Sequence, residues 1–340
     1  MKKVLVIGNL PGKDKRSIGG ATKLLESYIE YLDANSVEYD HLQIRSQWKR
    51  FTYLINILNF LVRFIFLFYR YETISIHATR DFSLTLGWVV VLISKVCKKK
   101  VLYHVFGGNL HEYHKESNFI LKSLLNIIVK KSDFFYVETK RMVSYFCEIN
   151  ESSRIIWLPN CRKSNNIINE TKYENRFIFV SRVTRTKGIY ELVEAFTILG
   201  KDYVLDIYGP VDDSKILSHI ENSINSNYKG LLGSKEVYEK LSTYNFHILP
   251  TFHDGEGYPG VVIEAMSVGT PSICSDWNCL DEIIINDENG YLIKPKSVES
   301  IVEVILKIDP NSFDSLKMKT HKCFKNFSDN FVFKKLEENI

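Results

Sequence analysis

The chain has 340 residues, of which 45% are hydrophobic and 25% charged, with a formal net charge of +4 at pH 7. This length exceeds one comfortable core and calls for two domains, while the ordinary apolar and charged content excludes bulk disorder. So small a charge gives no ground for a nucleic-acid partner and leaves anionic substrates unrepelled.

The chain opens on Met1-Lys2-Lys3 and an apolar run that stops at Gly8, unlike a signal peptide, so a cytoplasmic protein is expected. Short β-branched or aromatic runs then alternate with longer helical patterns, the signature of parallel sheets covered by helices. In the first half, strands are predicted over Lys3–Ile7, Tyr39–Ile44, Thr73–His77, Lys100–Val105, Phe134–Glu138 and Arg154–Leu158. The clearest helices between them are Ala21–Leu32, Leu84–Lys95 and Asn118–Lys131.

Three features of this half stand out. The loop after the first strand holds Gly8 and Gly12 and ends in Gly19-Gly20 directly before a helix. A glycine pair at a helix start lets a phosphate or sugar approach the backbone, although the spacing is not that of a dinucleotide fingerprint. The stretch from Phe51 to Tyr69 is mostly Leu, Ile, Phe and Tyr, interrupted by Asn56, Asn59 and Arg63 and flanked by Lys49, Arg50 and Arg70. A central arginine is costly in hydrocarbon, which excludes a transmembrane helix; a buried helix and an interfacial helix with basic groups at the headgroups are both open, and the two readings can coexist. Finally, the strand carrying His104 runs into Val105-Phe106-Gly107-Gly108, followed by His111 and His114. A histidine beside a glycine pair at a strand end is placed to approach a sugar ring, against the plainer reading of a core or surface imidazole.

A polar stretch, Arg162 to Asn175, reads as an interdomain connection, after which a second alternating series begins. Its strands are predicted over Phe177–Val180, Val204–Tyr208, Tyr228–Leu232, Phe246–Leu249, Ser272–Cys274 and Tyr291–Ile293. Its helices are predicted over Ile189–Leu199, Ser214–Asn225, Lys235–Tyr244, Gly260–Ser267 and Val298–Ile308, and Asn311 to Ile340 is helical in pattern. Two Rossmann-like domains follow, and in open parallel sheets ligands collect beyond the carboxyl ends of the strands.

The most informative residues lie just there. Arg182 and Lys187 project from one loop after a strand, where two cations can converge on a diphosphate; solvated surface charges are the plain alternative. Glu256 lies in the loop Asp254-Gly255-Glu256-Gly257-Tyr258-Pro259-Gly260, and Glu264 about two turns into the helix that follows. Free amides near that helix start suit an anion, with one carboxylate left for a sugar and the other for a ribose, so a nucleotide sugar is the expected ligand. The bland reading is that a carboxylate near a helix start is favourable through the macrodipole alone. The six cysteines show neither disulfide density nor zinc spacing and read as reduced thiols. No His-Glu-x-x-His or Asp-x-Asp pattern is present, so a metal site has no support.

Residues 177 to 307 resemble the second half of retaining glycosyltransferases of the glycosyl transferases group 1 type, also called family 4. The resemblance rests on Ser181-Arg182 with Lys187-Gly188, on Tyr208-Gly209-Pro210, on Gly230-Leu231-Leu232, on Glu256 through Glu264 followed by Ala265-Met266, Gly269 and Pro271, and on Asn289-Gly290-Tyr291-Leu292. In residues 1 to 160 it is looser and rests on Gly19-Gly20, on His104 near Gly107-Gly108, and on Pro159-Asn160. It implies the GT-B architecture: an α/β chain of two Rossmann-like domains facing each other across a cleft. The domains would be an acceptor-binding one at 1–165, a nucleotide-sugar-binding one at 166–310, and helices at 311–340 returning to the first.

By that resemblance Arg182 and Lys187 would bind the donor diphosphate, Glu256 the sugar hydroxyls and Glu264 the ribose. Backbone groups around Tyr258, Gly260 and Val261 would hold sugar and phosphate, Leu231 and Leu232 would border the base, and His104 and Gly19-Gly20 would face the reacting groups. In this chain Val105 and Phe106 separate His104 from the glycine pair, a departure from many family members. The implied activity is retaining, metal-independent glycosyl transfer from a nucleotide diphosphate sugar to a saccharide or lipid-linked saccharide. It would use no further cofactor, in assembly of a surface polysaccharide or glycolipid. Under the interfacial reading of residues 49–70, the chain would also make peripheral contact with an anionic inner membrane face. A nucleotide-sugar epimerase of the same architecture and a non-catalytic sugar-nucleotide-binding protein are the alternatives.

Overall fold

A computed structural model describes residues 3–12, 20–44, 53–150 and 154–340, which fall into two compact units. The first comprises residues up to Lys163 together with Asp329–Ile340; the second is Ser164–Ser328.

The first unit runs β1 (Lys3–Gly8), α1 (Gly20–Ala34), β2 (Glu38–Gln43), α2 (Tyr53–Phe68), β3 (Thr73–Ala78), α3 (Arg80–Phe82), α4 (Trp88–Val96), β4 (Lys100–Val105), α5 (Leu110–Glu116), α6 (Phe119–Lys131), β5 (Phe134–Val137), α7 (Lys140–Ile149) and β6 (Ile155–Trp157). Its six strands pair in the order β2-β1-β3-β4-β5-β6, all parallel. Both faces of such a sheet are covered, so its strands read as unbroken apolar runs. Along β1, Val4 and Val6 enter one core while Leu5 and Ile7 enter the other. The Leu5 side is closed by Phe60, Phe64 and Phe68, which recur every four residues along the inner face of α2.

A continuous helix predicted over Leu84–Lys95 is instead broken, because a π-helical turn at Ser83–Gly87 joins α3 to α4. The cause lies on β4. The Tyr103 hydroxyl donates to Ser83 Oγ at 2.9 Å and lies 2.2 Å from where a Gly87 Cβ would stand, so an intruding side chain displaces the helical ladder.

The second unit runs β7 (Arg176–Val180), α8 (Ile189–Leu199), β8 (Val204–Tyr208), α9 (Ser214–Glu221), β9 (Ser226–Gly230), α10 (Ser234–Leu241), β10 (Phe246–Leu249), α11 (Gly260–Val268), β11 (Ser272–Ser275), β12 (Gly290–Ile293), α12 (Val298–Leu306) and α13 (Phe313–Cys323). The order β12-β11-β10-β7-β8-β9 is again all parallel and reverses direction between β7 and β10. In open parallel sheets, ligands bind beyond the carboxyl ends of the strands that flank such a reversal. The polar stretch before β7 is held by asparagines rather than by apolar periodicity: Asn169 Nδ2 donates to Tyr244 O and Thr270 Oγ1, and Asn245 Oδ1 accepts from the amides of Glu174 and Arg176.

Within 311–340 the chain divides. α13 packs on α11 in the second unit, whereas α14 (Asp329–Glu337) joins the first, placing Val332, Phe333 and Leu336 against α1. The Tyr31 hydroxyl donates to Glu337 at 2.8 Å. Among the described residues, no helix is long and apolar enough to cross a membrane.

Candidate active site in the second unit

The loop after β7 packs tightly at glycines against the loops after β10 and β8. Gly188 has φ +75°, and a Cβ on it would stand 2.1 Å from the carbonyl oxygen of Pro250. Gly209, with φ +138°, leaves room for Ser181, whose carbonyl oxygen a Cβ would meet at 1.7 Å. Either side chain would force the loops apart. The close approach is pinned by the Phe252 amide, which donates to Thr186 O at 2.8 Å.

Lys187 and Glu256 meet inside this junction. Lys187 Nζ donates to Glu256 Oε2, the Thr251 hydroxyl donates to the same oxygen at 2.8 Å, and the two charged side chains are only 9% and 10% exposed. A buried charge is tolerated where it is paired and hydrogen-bonded. The pair is therefore a fixed dipole with a hydroxyl attached, sitting where the strand order reverses.

The loop that carries Glu256 is braced from the segment after β11. Trp277 Nε1 donates to His253 O at 3.1 Å, while Asn278 Nδ2 donates to Asp254 O at 3.1 Å and Glu256 O at 3.2 Å. Tyr258 is 2% exposed, and its hydroxyl donates to Glu282 Oε2. Pro259 then caps α11, so the first amides of the helix, at Gly260 and Val261, have no partner within the helix. Val261 and Leu232 both pack on the cluster of Ile178, Tyr208, Leu241, Tyr244, Ala265 and Val268. Below them the Tyr244 hydroxyl donates to the buried Asp206 at 2.6 Å, and burial first, then Asp206, pushes that phenol far above its ordinary pKa.

Of the residues singled out in the sequence, Lys187, Glu256, Tyr258, Gly260, Val261 and Leu232 thus lie on adjoining elements at the carboxyl ends of β7, β9 and β10. Arg182 is on the same loop as Lys187 and is exposed, Glu264 is half-buried on α11, and Leu231 is 67% exposed. Gly20 begins α1 of the first unit, and a Cβ there would touch nothing within 4 Å; Gly19 lies outside the described residues.

His104 sits in the core of the first unit, 3% exposed, with its Nδ1 3.3 Å from Nδ1 of His77, whose Nε2 meets Ser75 Oγ. Desolvation drops its pKa to about 3 and lowers that of His77 as well, so both rings are neutral. The imidazole expected to approach a sugar is therefore a covered one, beneath Phe106, with ring centroids 4.6 Å apart.

Thr251, Trp277, Asn278 and Glu282 were not legible as site residues. Thr251 had a weak signal, two residues beyond a strand end. The other three come from a different crossover and carry no local signature. Among the described residues, no three His, Cys, Asp or Glu side chains group as a metal site.

Residues 162–321 match the family model described as Glycosyl transferases group 1. An uncharacterised glycosyltransferase of Methanocaldococcus jannaschii is 26% identical over 282 residues, 76% of this chain and 71% of that protein. A capsular polysaccharide biosynthesis glycosyltransferase of Staphylococcus aureus is 24% identical over 168 residues, covering 47% of this chain and 44% of that protein. Among solved structures, Anabaena HepE in complex with UDP and glucose superposes with a TM-score of 0.72 at 12% identity, covering 99% of both chains. Residues 162–321 thus match a glycosyl transferases group 1 domain, and the fold is that of the GT-B glycosyltransferase structures.

Proposed function

We propose that the chain moves a sugar from a nucleoside diphosphate sugar to a saccharide or lipid-linked saccharide acceptor, with retention at the anomeric carbon and without a divalent metal. The observation that carries this reading is the buried Lys187–Glu256 pair at the strand-order reversal, beside the open start of α11. In the proposal Lys187 and Arg182 take the donor diphosphate together with the Gly260 and Val261 amides. Glu256 turns to the sugar hydroxyls, Glu264 holds the ribose, backbone groups around Tyr258 hold sugar and phosphate, and Leu231 and Leu232 border the base. The donor separates the resting ion pair and supplies each member with a new partner.

During transfer the bond from the anomeric carbon to the phosphate oxygen breaks, and its electron pair goes to the diphosphate. Cationic groups and helix amides aimed at that developing charge lower the barrier. The acceptor oxygen bonds to the same face of the carbon and gives its proton to the departing phosphate oxygen. The acceptor is assigned to the first unit, without a direct role for His104, whose ring is covered by Phe106. The UDP and glucose in HepE favour a uridine-linked hexose as donor, and the capsular relative favours a role in polysaccharide assembly.

A panel of nucleotide sugars screened for thermal stabilisation identifies the donor, and transfer is then followed with Lys187→Ala. Loss of one charge-stabilising donor costs about 10²- to 10³-fold in kcat. Unchanged turnover in that variant, or a strict requirement for added magnesium in the wild type, sinks the proposal. Isomerisation of the donor without acceptor would identify an epimerase instead.

A further inference from the structure

We infer that the first unit docks on anionic phospholipid through the outer face of α2 and a basic cavity at the end of that helix. Phe60, Phe64 and Phe68 bury the inner face of α2, yet Ile55, Leu58, Val62, Ile65, Phe66 and Tyr69 are exposed on its other side, Phe66 by 77%. A helix at a water-facing surface ordinarily turns polar residues outward, and a contiguous apolar patch of this kind marks an interaction site. The polar positions among the exposed residues of the helix are Asn59 and Arg63, and residues 53–71 contain no carboxylate.

The helix leads directly into a cavity of about 970 Å³ lined by Arg70, Lys98, Lys99, Lys100 and Lys3, with Glu72 as its single acidic side chain. Lys3 is held by Glu38 at 2.8 Å. Lys99 ties the cavity to the helix, its Nζ standing 5.3 Å from the Phe68 ring centroid. An apolar stripe of roughly 21 Å from Ile55 to Tyr69, at 1.5 Å per residue, therefore ends in a cluster of cations.

The charge pattern selects the occupant. A second copy of the chain meeting this surface by two-fold symmetry presents the same patch, with an acid-free stripe and a net cationic cavity on both sides, so that excess positive charge would face excess positive charge. A bilayer surface offers hydrocarbon for the stripe and phosphate for the cavity at once. One apolar insertion together with a basic cluster is the pair of signals that stable peripheral binding requires, and Arg63 can extend from the stripe to the headgroup level. A lipid-linked acceptor under the reading above would then be met at the bilayer, but the docking surface does not depend on that reading.

The test is co-sedimentation of the full chain with vesicles of phosphatidylcholine, with and without phosphatidylglycerol, in the absence of nucleotide sugar and acceptor. Failure of this proposal is therefore separate from failure of the transfer reaction. Binding is expected to vesicles containing phosphatidylglycerol and to resist competition by inorganic phosphate. In the triple variant Arg70→Gln, Lys98→Asn, Lys99→Gln, binding should fall by roughly fivefold per charge removed. Leu58→Asn with Phe66→Asn, also at exposed positions, should abolish it while leaving the thermal midpoint in place. Equal binding to pure phosphatidylcholine, full binding by either variant, or no sedimentation at all overturns the proposal. So does a dimer on size exclusion that the Phe66 variant dissolves.

Discussion

Replacing Glu256 by glutamine separates the two parts of the donor. In the resting protein Lys187 is occupied by Glu256, and the pair is almost fully buried. A nucleoside diphosphate that carries no sugar must displace this carboxylate and leaves it without a partner other than Thr251. Glutamine keeps the shape and an acceptor oxygen but removes the charge that competes for the lysine. A hydrogen bond to a charged group is worth about 1.5–3 kcal/mol, so UDP is expected to bind Glu256→Gln roughly 10- to 100-fold more tightly than wild type. Turnover should move the other way, because the amide cannot accept from the sugar hydroxyls with a full charge. Calorimetric titration with UDP, paired with transfer rates at saturating donor, reads both. If UDP binds the variant no better than wild type, Lys187 does not take the diphosphate, and the assignment of the pair fails whatever happens to kcat.

Gly188→Ala places a side chain at φ +75° and against Pro250 O. Backbone strain of this kind costs about 1–3 kcal/mol, to which the carbonyl contact adds, so a lower thermal midpoint and loss of transfer are expected; an unaltered midpoint refutes the steric argument. Asn278→Ala removes the donors that hold the Asp254 and Glu256 carbonyls. Because the loop loosens while Glu256 keeps its chemistry, KM for the donor should rise about tenfold with a smaller change in kcat, and an unchanged KM would show the brace to be irrelevant. His104 is neutral in the folded protein with a pKa near 3, against about 6.5 in the unfolded chain. The unfolded state then binds more protons between these values, so stability is full above pH 6.5 and falls as the pH drops towards 3, by up to about 1.4 kcal/mol per pH unit. Denaturation midpoints measured across that window should slope less steeply in His104→Gln, and equal slopes would place the titration elsewhere.

Much of the fold was readable because buried parallel strands and amphipathic helices leave local marks. The bounds of α8, β4, β8 and the apolar run of β10 coincide with those predicted, since each is a short apolar or periodic segment closed by a turn signal. α5 and α7 were not anticipated, being short and mixed in composition, and the π turn at Ser83–Gly87 depends on Tyr103, a residue of the next strand. The cations and carboxylates of the site were visible one by one, because glycine-rich loops after strands are local features.

What the residues determined alone was the alternation of strand and helix, hence two parallel sheets, and the places after strands where chemistry would gather. The tertiary structure decided which of those places share a hydrogen bond. Lys187 and Glu256 are 69 residues apart, and they meet because β7 and β10 are neighbours in the sheet. Strand order is set by long-range burial, which periodicity within a segment does not encode.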